Sequence, residues 1–226
     1  MSFRTLRSFV VEFRVMHGLH YTLRPMEHGD VSQVGEIDRE AFPGEWAFRS
    51  QSSYKQDLHN SSIHYVVACV KSDESQPAGA SAPRLPWFRR LFRYERGLNT
   101  AENIIGFTGF WMMLHEAHII AVGVREGYRR LGVGEALLIA TIDLSATLNA
   151  NAVTLEARAS NAAAQALYSK YGFKVMGRRV KYYSSNGEDA IIMSTDDITS
   201  MPFQASFQRL KAAHAETHGG VIARVG

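Results

Sequence analysis

The stretch from Ala121 to Phe173 constrains the fold of this chain more than any other. Its sequence is AVGVREGYRRLGVGEALLIATIDLSATLNANAVTLEARASNAAAQALYSKYGF. The pattern indicates a strand, a glycine-rich turn, a helix, a second strand and a second helix. Gly132 and Gly134 lie where the apolar run Val122–Val124 gives way to a helical pattern, so free backbone N–H groups gather at the helix N-terminus. Such a terminus is an anion site.

Two common phosphate-binding sites fit this turn poorly. A P-loop requires Gly-Lys followed by Ser or Thr, but Gly134 is followed by Glu135, so the lysine and the magnesium-binding hydroxyl are missing. A dinucleotide-binding fingerprint fits better, because Gly132 and Gly134 follow a strand and an acid, Glu156, comes at a plausible distance beyond them. Its third glycine, however, is replaced by Leu137. The P-loop is excluded, and the dinucleotide site lacks one of its residues.

A third interpretation uses the arginines that precede the turn. The order is Arg129-x-x-Gly132-x-Gly134, with Arg130 as a second cation. Glycine at both positions lets the backbone approach phosphate groups, and the first helical turn then closes over a pyrophosphate. This pattern resembles the acetyl-CoA pyrophosphate loop of the GNAT acyltransferase superfamily.

The residues beyond the turn narrow the resemblance to one branch of that superfamily. They are similar to the RimI type, the ribosomal-protein alanine N-acetyltransferases, over about residues 20–70 and 103–195. The similar segments are Leu155–Asn161, Ala166–Tyr168, Gly172-Phe173, Arg178–Tyr183 and Glu188–Met193. The resemblance implies an α/β (α+β) fold with a mixed, mostly antiparallel central sheet flanked by helices. It also implies acetyl transfer from acetyl-CoA to the N-terminal amine of a protein.

Hydrophobic periodicity predicts the elements of this fold. The predicted strands are His20–Leu23, Ile63–Val70, Ile104–His115, Ala117–Val124, Ala152–Arg158, Phe173–Tyr183 and Ala190–Met193. The predicted helices are Asp30–Ala41, Ser50–Leu58, Glu135–Leu148, Ala162–Tyr171 and Ser206–His214. The Glu156 side chain is predicted to project from one face of the sheet, because side chains alternate along a strand.

The resemblance implies a set of residues around acetyl-CoA. In the family, strand N–H groups polarise the thioester carbonyl, the turn holds the pyrophosphate, and an asparagine in the next helix contacts coenzyme A. The corresponding residues are Val122, Gly123, Val124, Arg129, Arg130, Leu131, Gly132, Val133, Gly134, Glu135 and Asn161. Asn161 is also a plausible N-cap of its helix, and the two roles are compatible.

Acetyl transfer to an amine requires a base and an acid. A free α-amino group has a pKa of roughly 7.7 to 8.0, so near neutral pH a base must remove a proton. The resemblance assigns that base to Glu156 and the acid that protonates the leaving thiolate to Tyr168. The alternatives are a sheet carboxylate paired with Arg158 or Arg179, and a core aromatic ring.

Two segments are candidates for substrate binding. Phe42 and Pro43 begin a turn that resembles the family's Phe-Pro-x-Pro-Trp stretch, which lines the pocket for the first substrate residues. Glu45 stands where that stretch usually has proline, and the alternative is a helix-breaking loop with aromatics in the core. Tyr182 and Tyr183 precede a hairpin, and strand alternation predicts that only one of them faces the peptide.

Composition favours a single domain with added segments. The 226 residues are 46% hydrophobic, which predicts one domain of ordinary size with a core. The extent of the resemblance implies an acetyltransferase domain at 19–196, with an N-terminal extension at 1–18, an insertion at 72–101 and a tail at 197–226. The net charge of +3 and the pI of about 9.0 suit a phosphate-bearing cofactor. The one cysteine, Cys69, excludes an internal disulfide framework, and no run approaches transmembrane length. A cytoplasmic protein is expected.

The segments outside the resemblance allow several interpretations. Trp87–Arg96 is basic and aromatic, which fits an amphipathic helix on the domain edge or docking to a partner protein, ribosomal RNA or an anionic membrane. Direct nucleic-acid binding is not expected. Residues 1–18 carry three arginines and one acid, so an organellar transit peptide is an alternative to an ordinary extension.

No metal and no covalent intermediate are expected in the reaction. His115 and His118 lie too close on extended chain for a zinc pair, which predicts structural or surface roles. Cys69 belongs to an early strand, away from the predicted cleft, which favours direct transfer in a ternary complex. Two rival functions remain: an acetyltransferase for lysine side chains or a small amine, and a catalytically weak acetyl-CoA-binding module.

Overall fold

The computed structural model describes residues 9–14, 19–43, 50–71, 102–218 and 221–225. The strands of this part are β1 Phe9–Arg14, β2 His20–Pro25, β3 Ile63–Lys71, β4 Glu102–Met113, β5 Glu116–Val124, β6 Ala152–Arg158, β7 Lys174–Tyr183, β8 Glu188–Ser194 and β9 Val221–Val225. Its α-helices are α1 Val31–Ala41, α2 Gln51–Asp57, α3 Val133–Thr147, α4 Ala162–Lys170 and α5 Met201–His218. Short 3-10 turns cover His28–Asp30 and Glu126–Tyr128.

The strands of the described residues form one sheet in the order β7-β8-β6-β5-β4-β3-β2-β1-β9. β5 and β6 pair in parallel, and the other neighbouring strands pair antiparallel. A parallel pair needs a crossover, and α3 supplies it between β5 and β6. The predicted mixed, mostly antiparallel sheet flanked by helices is confirmed.

The core lies on both faces of this sheet. One cluster joins α3 and α5 to β6 through Leu138, Phe207 and Leu155, all buried. Another joins α1 and α2 to the sheet through Ile37 and Tyr54. Because side chains alternate along β6, the residues next to Leu155 in sequence face away from α3. The candidate base therefore lies on the opposite side of the sheet from α3.

The parallel strands β5 and β6 part within the sheet. Their pairing runs from Glu116 and Ala152 to Ile119 and Leu155, where the register ends. β5 continues to Val124 while paired with β4 on its other side, and β6 continues while paired with β8. A gap between two parallel strands therefore opens toward the N-terminus of α3, which follows β5.

The C-terminal helix is longer and more closely integrated than the sequence predicted. The predicted helix Ser206–His214 is part of α5, whose Phe207 is buried against the ring of Tyr171 at a centroid distance of 6.2 Å. Lys211 of α5 pairs with Asp143 of α3. The domain boundary at residues 19–196 stays a prediction, but α5, β1 and β9 pack on or pair with the same sheet.

Some sequence predictions concern residues outside the described ranges. They are the docking segment Trp87–Arg96, the insertion 72–101 around it, most of the extension 1–18, and Glu45 in the turn after Phe42. Among the helices of the described residues, none combines the length and apolar character needed to cross a membrane.

Candidate functional site

The glycine-rich turn forms the predicted anion site at the start of α3. Gly132 is the N-cap of this helix and has a φ of +80°, in the left-handed region that favours glycine. The helix begins at Val133, two residues before the predicted start, because the turn ends abruptly at this glycine. The N–H groups of Val133, Gly134 and Glu135 have no hydrogen-bond acceptor inside the helix, because the first turn of an α-helix has no preceding carbonyl groups to accept from them. They are available to an anion.

The two glycines of the turn are needed for different reasons. A Cβ at Gly132 would lie 2.7 Å from Cγ of His218 on α5, so packing and backbone conformation both require glycine. A Cβ at Gly134 would meet only Val124 Cγ2 at 3.6 Å, an ordinary contact. The protein itself leaves room for a side chain at Gly134. Its absence keeps the first helical turn open to a ligand.

The flanking residues fix the shape of this turn. Nε of Arg129 donates to the carbonyl of Val124 at 3.1 Å and thereby ties the turn to the end of β5. Arg130 is exposed and has a φ of +64°. Leu131 packs against a hydrophobic cluster that includes Val133, which is buried. Among Arg129, Arg130, Leu131 and Val133, only the two arginines carry a side-chain charge that suits an anion.

Val122, Gly123 and Val124 lie in the part of β5 that extends past the strand separation. Gly123 is packed tightly, since a Cβ there would lie 2.8 Å from Cε1 of Phe107 and 3.3 Å from Cγ2 of Ile37. This contact brings the C-terminal half of α1 over the end of β5. The predicted carbonyl-binding strand is therefore covered by α1 on one face.

Glu156 is held by two basic side chains on the far side of the sheet from α3. Its Oε2 lies 2.9 Å from Nε2 of His118, and its Oε1 lies 3.1 Å from a terminal nitrogen of Arg179. The Glu156 side chain is 9% exposed. The hydrogen bond to His118 lowers the pKa of Glu156, burial opposes this, and the charges of His118 and Arg179 add to the lowering. The carboxylate is therefore ionised at neutral pH.

A chain of hydrogen bonds continues from Glu156 through His118. Thr154 Oγ1 donates to Glu116 Oε1 at 2.8 Å, because a carboxylate can only accept. The same hydroxyl lies 3.0 Å from His118 Nδ1 and must accept that proton. His118 therefore connects Glu156 to Thr154 and, through that hydroxyl, to Glu116.

The sequence predicted only a structural or surface role for His118, whereas the structure places it on the candidate base. The reason is the parallel pairing of β5 with β6, in which His118 lies opposite Thr154. His118 is then a diagonal neighbour of Glu156 on the same face of the sheet. A signal was present in the alternation of β5, which puts His118 on the face opposite the buried Ala117 and Ile119.

Tyr168 lies on α4 and packs against the core cluster that contains Leu155. Its ring packs against Phe173 at a centroid distance of 5.7 Å, and burial raises the pKa of its hydroxyl to about 12. Tyr183 interacts electrostatically with both Glu156 and Tyr168, and burial raises the pKa of Tyr183 to about 12 as well. Three of the predicted site residues, Glu156, Tyr168 and Tyr183, are thus brought together.

The prediction that Tyr182 and Tyr183 face opposite sides of the sheet is wrong. Their rings touch edge to face at a centroid distance of 5.2 Å. Lys181 has a φ of +53°, and the register between β7 and β8 shifts between Arg179 and Tyr183. This irregularity interrupts the alternation. The Arg158 guanidinium lies 4.3 Å from the Tyr183 ring centroid, which fixes that ring beside the site.

The remaining predicted residues lie at the edges of this region. Asn161 caps α4, as its amide oxygen accepts from the N–H of Ala164 at 3.1 Å, and its side chain is exposed. Phe42 follows α1 and packs against the cluster that contains Ile37, while Pro43 is exposed. Phe42 thus packs on the same cluster as Ile37, the α1 residue that lies next to Gly123.

The chain is similar to known acetyltransferases. The family described as acetyltransferase (GNAT) matches residues 31–173. A Bacillus subtilis protein named as a candidate ribosomal protein bS18-alanine N-acetyltransferase is 29% identical over 171 residues, 76% of this chain and 92% of its own. An N-alpha-acetyltransferase of Sulfurisphaera tokodaii is 30% identical over 178 residues, 78% of this chain and 93% of its own. The crystal structure of the Escherichia coli ribosomal-protein-S18-alanine N-acetyltransferase has a TM-score of 0.58 at 25% identity, covering 78% and 94% of the two chains.

Proposed function

Because the chain belongs to the acetyltransferase (GNAT) family, whose acetyl donor is acetyl-CoA, we propose that it acetylates the α-amino group at the N-terminus of a protein. The proposed substrate is the N-terminal alanine of a small-subunit ribosomal protein, and the proposed compartment is the cytoplasm. The names of the Bacillus and Escherichia relatives support this substrate. The observation that carries the proposal is the Glu156 carboxylate, held by His118 near Tyr168 and beside the gap between β5 and β6.

Glu156 is the proposed base. An N-terminal amine is mostly protonated near pH 7, so it must lose one proton before it attacks and a second as the amide forms. Glu156 accepts the first proton directly or through a water molecule, and the hydrogen bonds that link it through His118 and Thr154 to the partly exposed Glu116 connect it to the surface. The second proton leaves the nitrogen as the amide forms, and it replaces the proton that Tyr168 gives to the thiolate.

The end of β5 and the turn at α3 are the proposed binding surface for acetyl-CoA. The first-turn N–H groups and the two arginines suit its pyrophosphate. Acetyl-CoA supplies a thioester, and we assign the polarisation of its carbonyl oxygen to backbone N–H groups within Val122–Val124 that face away from β4. The neutral amine attacks the carbonyl carbon, the carbon–sulfur bond breaks, and the sulfur leaves as a thiolate.

Tyr168 is the proposed acid for that thiolate. With a pKa of about 12 its hydroxyl is fully protonated at neutral pH, so a proton is always available. The same value makes it a weak acid toward a thiolate whose conjugate acid has a pKa near 8.5. Positioning of the hydroxyl must therefore contribute to the rate of proton transfer, and the packing of the Tyr168 ring against Phe173 contributes to that positioning.

Direct transfer is supported by the state of Cys69. This thiol is buried on β3, lies 3.0 Å from Thr22 Oγ1, and has a pKa that burial raises to about 11. A thiol in this environment is not a nucleophile at neutral pH, because the thiolate is the reactive form. We therefore propose a ternary complex without an acetyl-enzyme.

Acetylation of two peptides tests the proposal. One begins Ala-Arg-Tyr with a free N-terminus, and its twin has that N-terminus blocked and carries an internal lysine. Acetyl-CoA-dependent turnover of only the free peptide is expected. Turnover of the blocked peptide would reassign the enzyme to lysine side chains. Turnover of neither, with acetyl-CoA binding intact, would indicate a small amine or a binding module.

A further inference from the structure

The C-terminal end of α5 brings two histidines to the glycine-rich turn. His214 and His218 are one helical turn apart, so both project from the same face of the helix. Their ring centroids are 4.8 Å apart, His214 is buried, and the ring of His218 lies against Gly132. Glu135 reaches the same place from the first turn of α3. One ligand atom from each of the three side chains lies within 4.8 Å of the others.

Hydrogen bonding sets His214 in the form that a metal ion requires. Its Nε2 lies 3.2 Å from the carbonyl oxygen of Gly132, and a carbonyl can only accept, so Nε2 carries the proton. In the neutral ring the lone pair is then on Nδ1. A histidine that binds a metal commonly donates its other N–H to a backbone carbonyl in this way.

Glu135 is oriented by two donors on one of its oxygens. Oε1 accepts from Nζ of Lys170 at 2.5 Å and from the hydroxyl of Tyr171 at 2.6 Å. Oε2 remains as a ligand atom. The ammonium of Lys170 weakens the attraction for a cation, so we expect lower affinity than in a site without a neighbouring positive charge.

We propose that Glu135, His214 and His218 bind a divalent transition-metal ion, with Zn²⁺ as the best match to two imidazoles and one carboxylate. Zinc binds nitrogen and carboxylate oxygen at about 2.0 to 2.2 Å, so its ligand atoms lie roughly 3.3 Å apart in a tetrahedron. The ligand atoms of the cluster, all within 4.8 Å of one another, would have to move closer together to bind the ion. Three protein ligands leave the fourth position to water.

At this position a bound ion would link two helices. It would fasten the end of α5 to the first turn of α3, where the proposed acetyl-CoA turn begins. The sequence pattern His-Ala-Glu-Thr-His at 214–218 has the spacing of a helical metal-binding pair, but its third ligand lies about eighty residues away and was not visible in the sequence. The ion takes no part in the proposed acetyl transfer, so a failure of the metal site would not affect the proposed function, and a failure of that function would not affect the metal site.

Titration of the metal-free full-length protein with Co²⁺ and Zn²⁺ tests the site. One equivalent of Co²⁺ per chain should give the intense visible absorption of a four-coordinate ion, and Zn²⁺ should displace it. His218→Gln should weaken Zn²⁺ binding at least about tenfold. His59→Gln is the matched control, because His59 belongs to a second ring pair, with His28 at 5.0 Å, and should leave binding unchanged.

A second variant and a second measurement keep the test independent of folding. Glu135→Gln retains the size of the side chain and should also weaken binding, while Zn²⁺ should raise the Tm of the wild-type chain and of His59→Gln but not of His218→Gln. Circular dichroism checks that each variant is folded. The proposal is overturned if the wild-type chain binds no Zn²⁺, or if His218→Gln and Glu135→Gln bind it as tightly as the wild type does.

Discussion

Glu156→Gln is the substitution that most directly tests the proposed chemistry. Glutamine keeps the size of the side chain and one carbonyl oxygen, but it removes the charge that His118 and Arg179 contact. A positioned general base contributes about 10²-fold to 10⁴-fold to rate. We expect kcat/KM to fall about 10³-fold, which corresponds to about 4 kcal/mol of transition-state stabilisation. The Kd for acetyl-CoA should be unchanged, because the turn at Gly132 is not touched.

The hydrogen-bonded chain predicts how neighbouring substitutions combine. His118→Gln should lower kcat/KM less than Glu156→Gln, because the carboxylate remains. If the pair acts as a unit, the double variant should be no slower than Glu156→Gln alone. Thr154→Val is a matched control with nearly the same shape, and it removes the hydrogen bonds of this hydroxyl to His118 and Glu116 while leaving the contact between His118 and Glu156 in place. It should have the smallest effect of the three.

The pH dependence separates the base from the substrate amine. The pKa of Glu156 is lowered, so this group stabilises the fold above its unfolded pKa of about 4.3, and that stability is lost as the pH falls through the folded value. Glu156 therefore does not titrate near neutral pH. The rise of kcat/KM from about pH 6 to about pH 8 should follow the substrate amine. Full kcat/KM in Glu156→Gln, with the wild-type pH profile, would refute the assignment.

Three further substitutions follow from the geometry. Tyr168→Phe should lower kcat about 10²-fold without changing the Kd for acetyl-CoA, since only the proton donor is lost; steady-state kinetics with a fluorescence titration measures both. Gly132→Ala should destabilise the fold by at least about 1 to 2 kcal/mol, because its φ is +80° and a Cβ would clash, whereas Gly134→Ala should raise the KM for acetyl-CoA with little change in Tm. Equal Tm losses in the two glycine variants would contradict this distinction. Replacing the segment between Lys71 and Glu102 with Asn-Gly should leave acetyl-CoA binding unchanged in a calorimetric titration. Lys71 and Glu102 are paired neighbours across β3 and β4, so a two-residue turn can join them. Loss of the fold would show that the segment belongs to the core.

Local sequence patterns were sufficient to predict much of the sheet and the glycine-rich turn of the candidate site. The alternation of Ala152–Arg158 predicts β6 with its observed bounds, and a predicted cap, Asn161, bonds the first turn of α4. The φ of Gly132 follows from the requirement for a sharp turn before α3. Each of these features depends on residues close together in the chain, which is why a sequence pattern can carry it.

The features that escaped prediction depend on tertiary register. His118 meets Glu156 only because two parallel strands pair across the α3 crossover. The rings of Tyr182 and Tyr183 touch because Lys181 adopts a positive φ, which interrupts the alternation of side chains along β7. Hydrophobic periodicity does not predict such an interruption. A single shifted residue in a strand reverses the face of every side chain beyond it.

The pairing of β1 with β9 has a consequence for the order of folding. Val11 lies opposite Ala223, so this ladder joins positions more than two hundred residues apart. Contacts of such separation form late, since the entropy of closing the intervening loop must be overcome first. The groups proposed for acetyl transfer are all present by Ser194, the end of β8. During synthesis the catalytic groups can therefore assemble on the ribosome before the outer edge of the sheet is complete, and edge closure is expected as the slowest step of maturation.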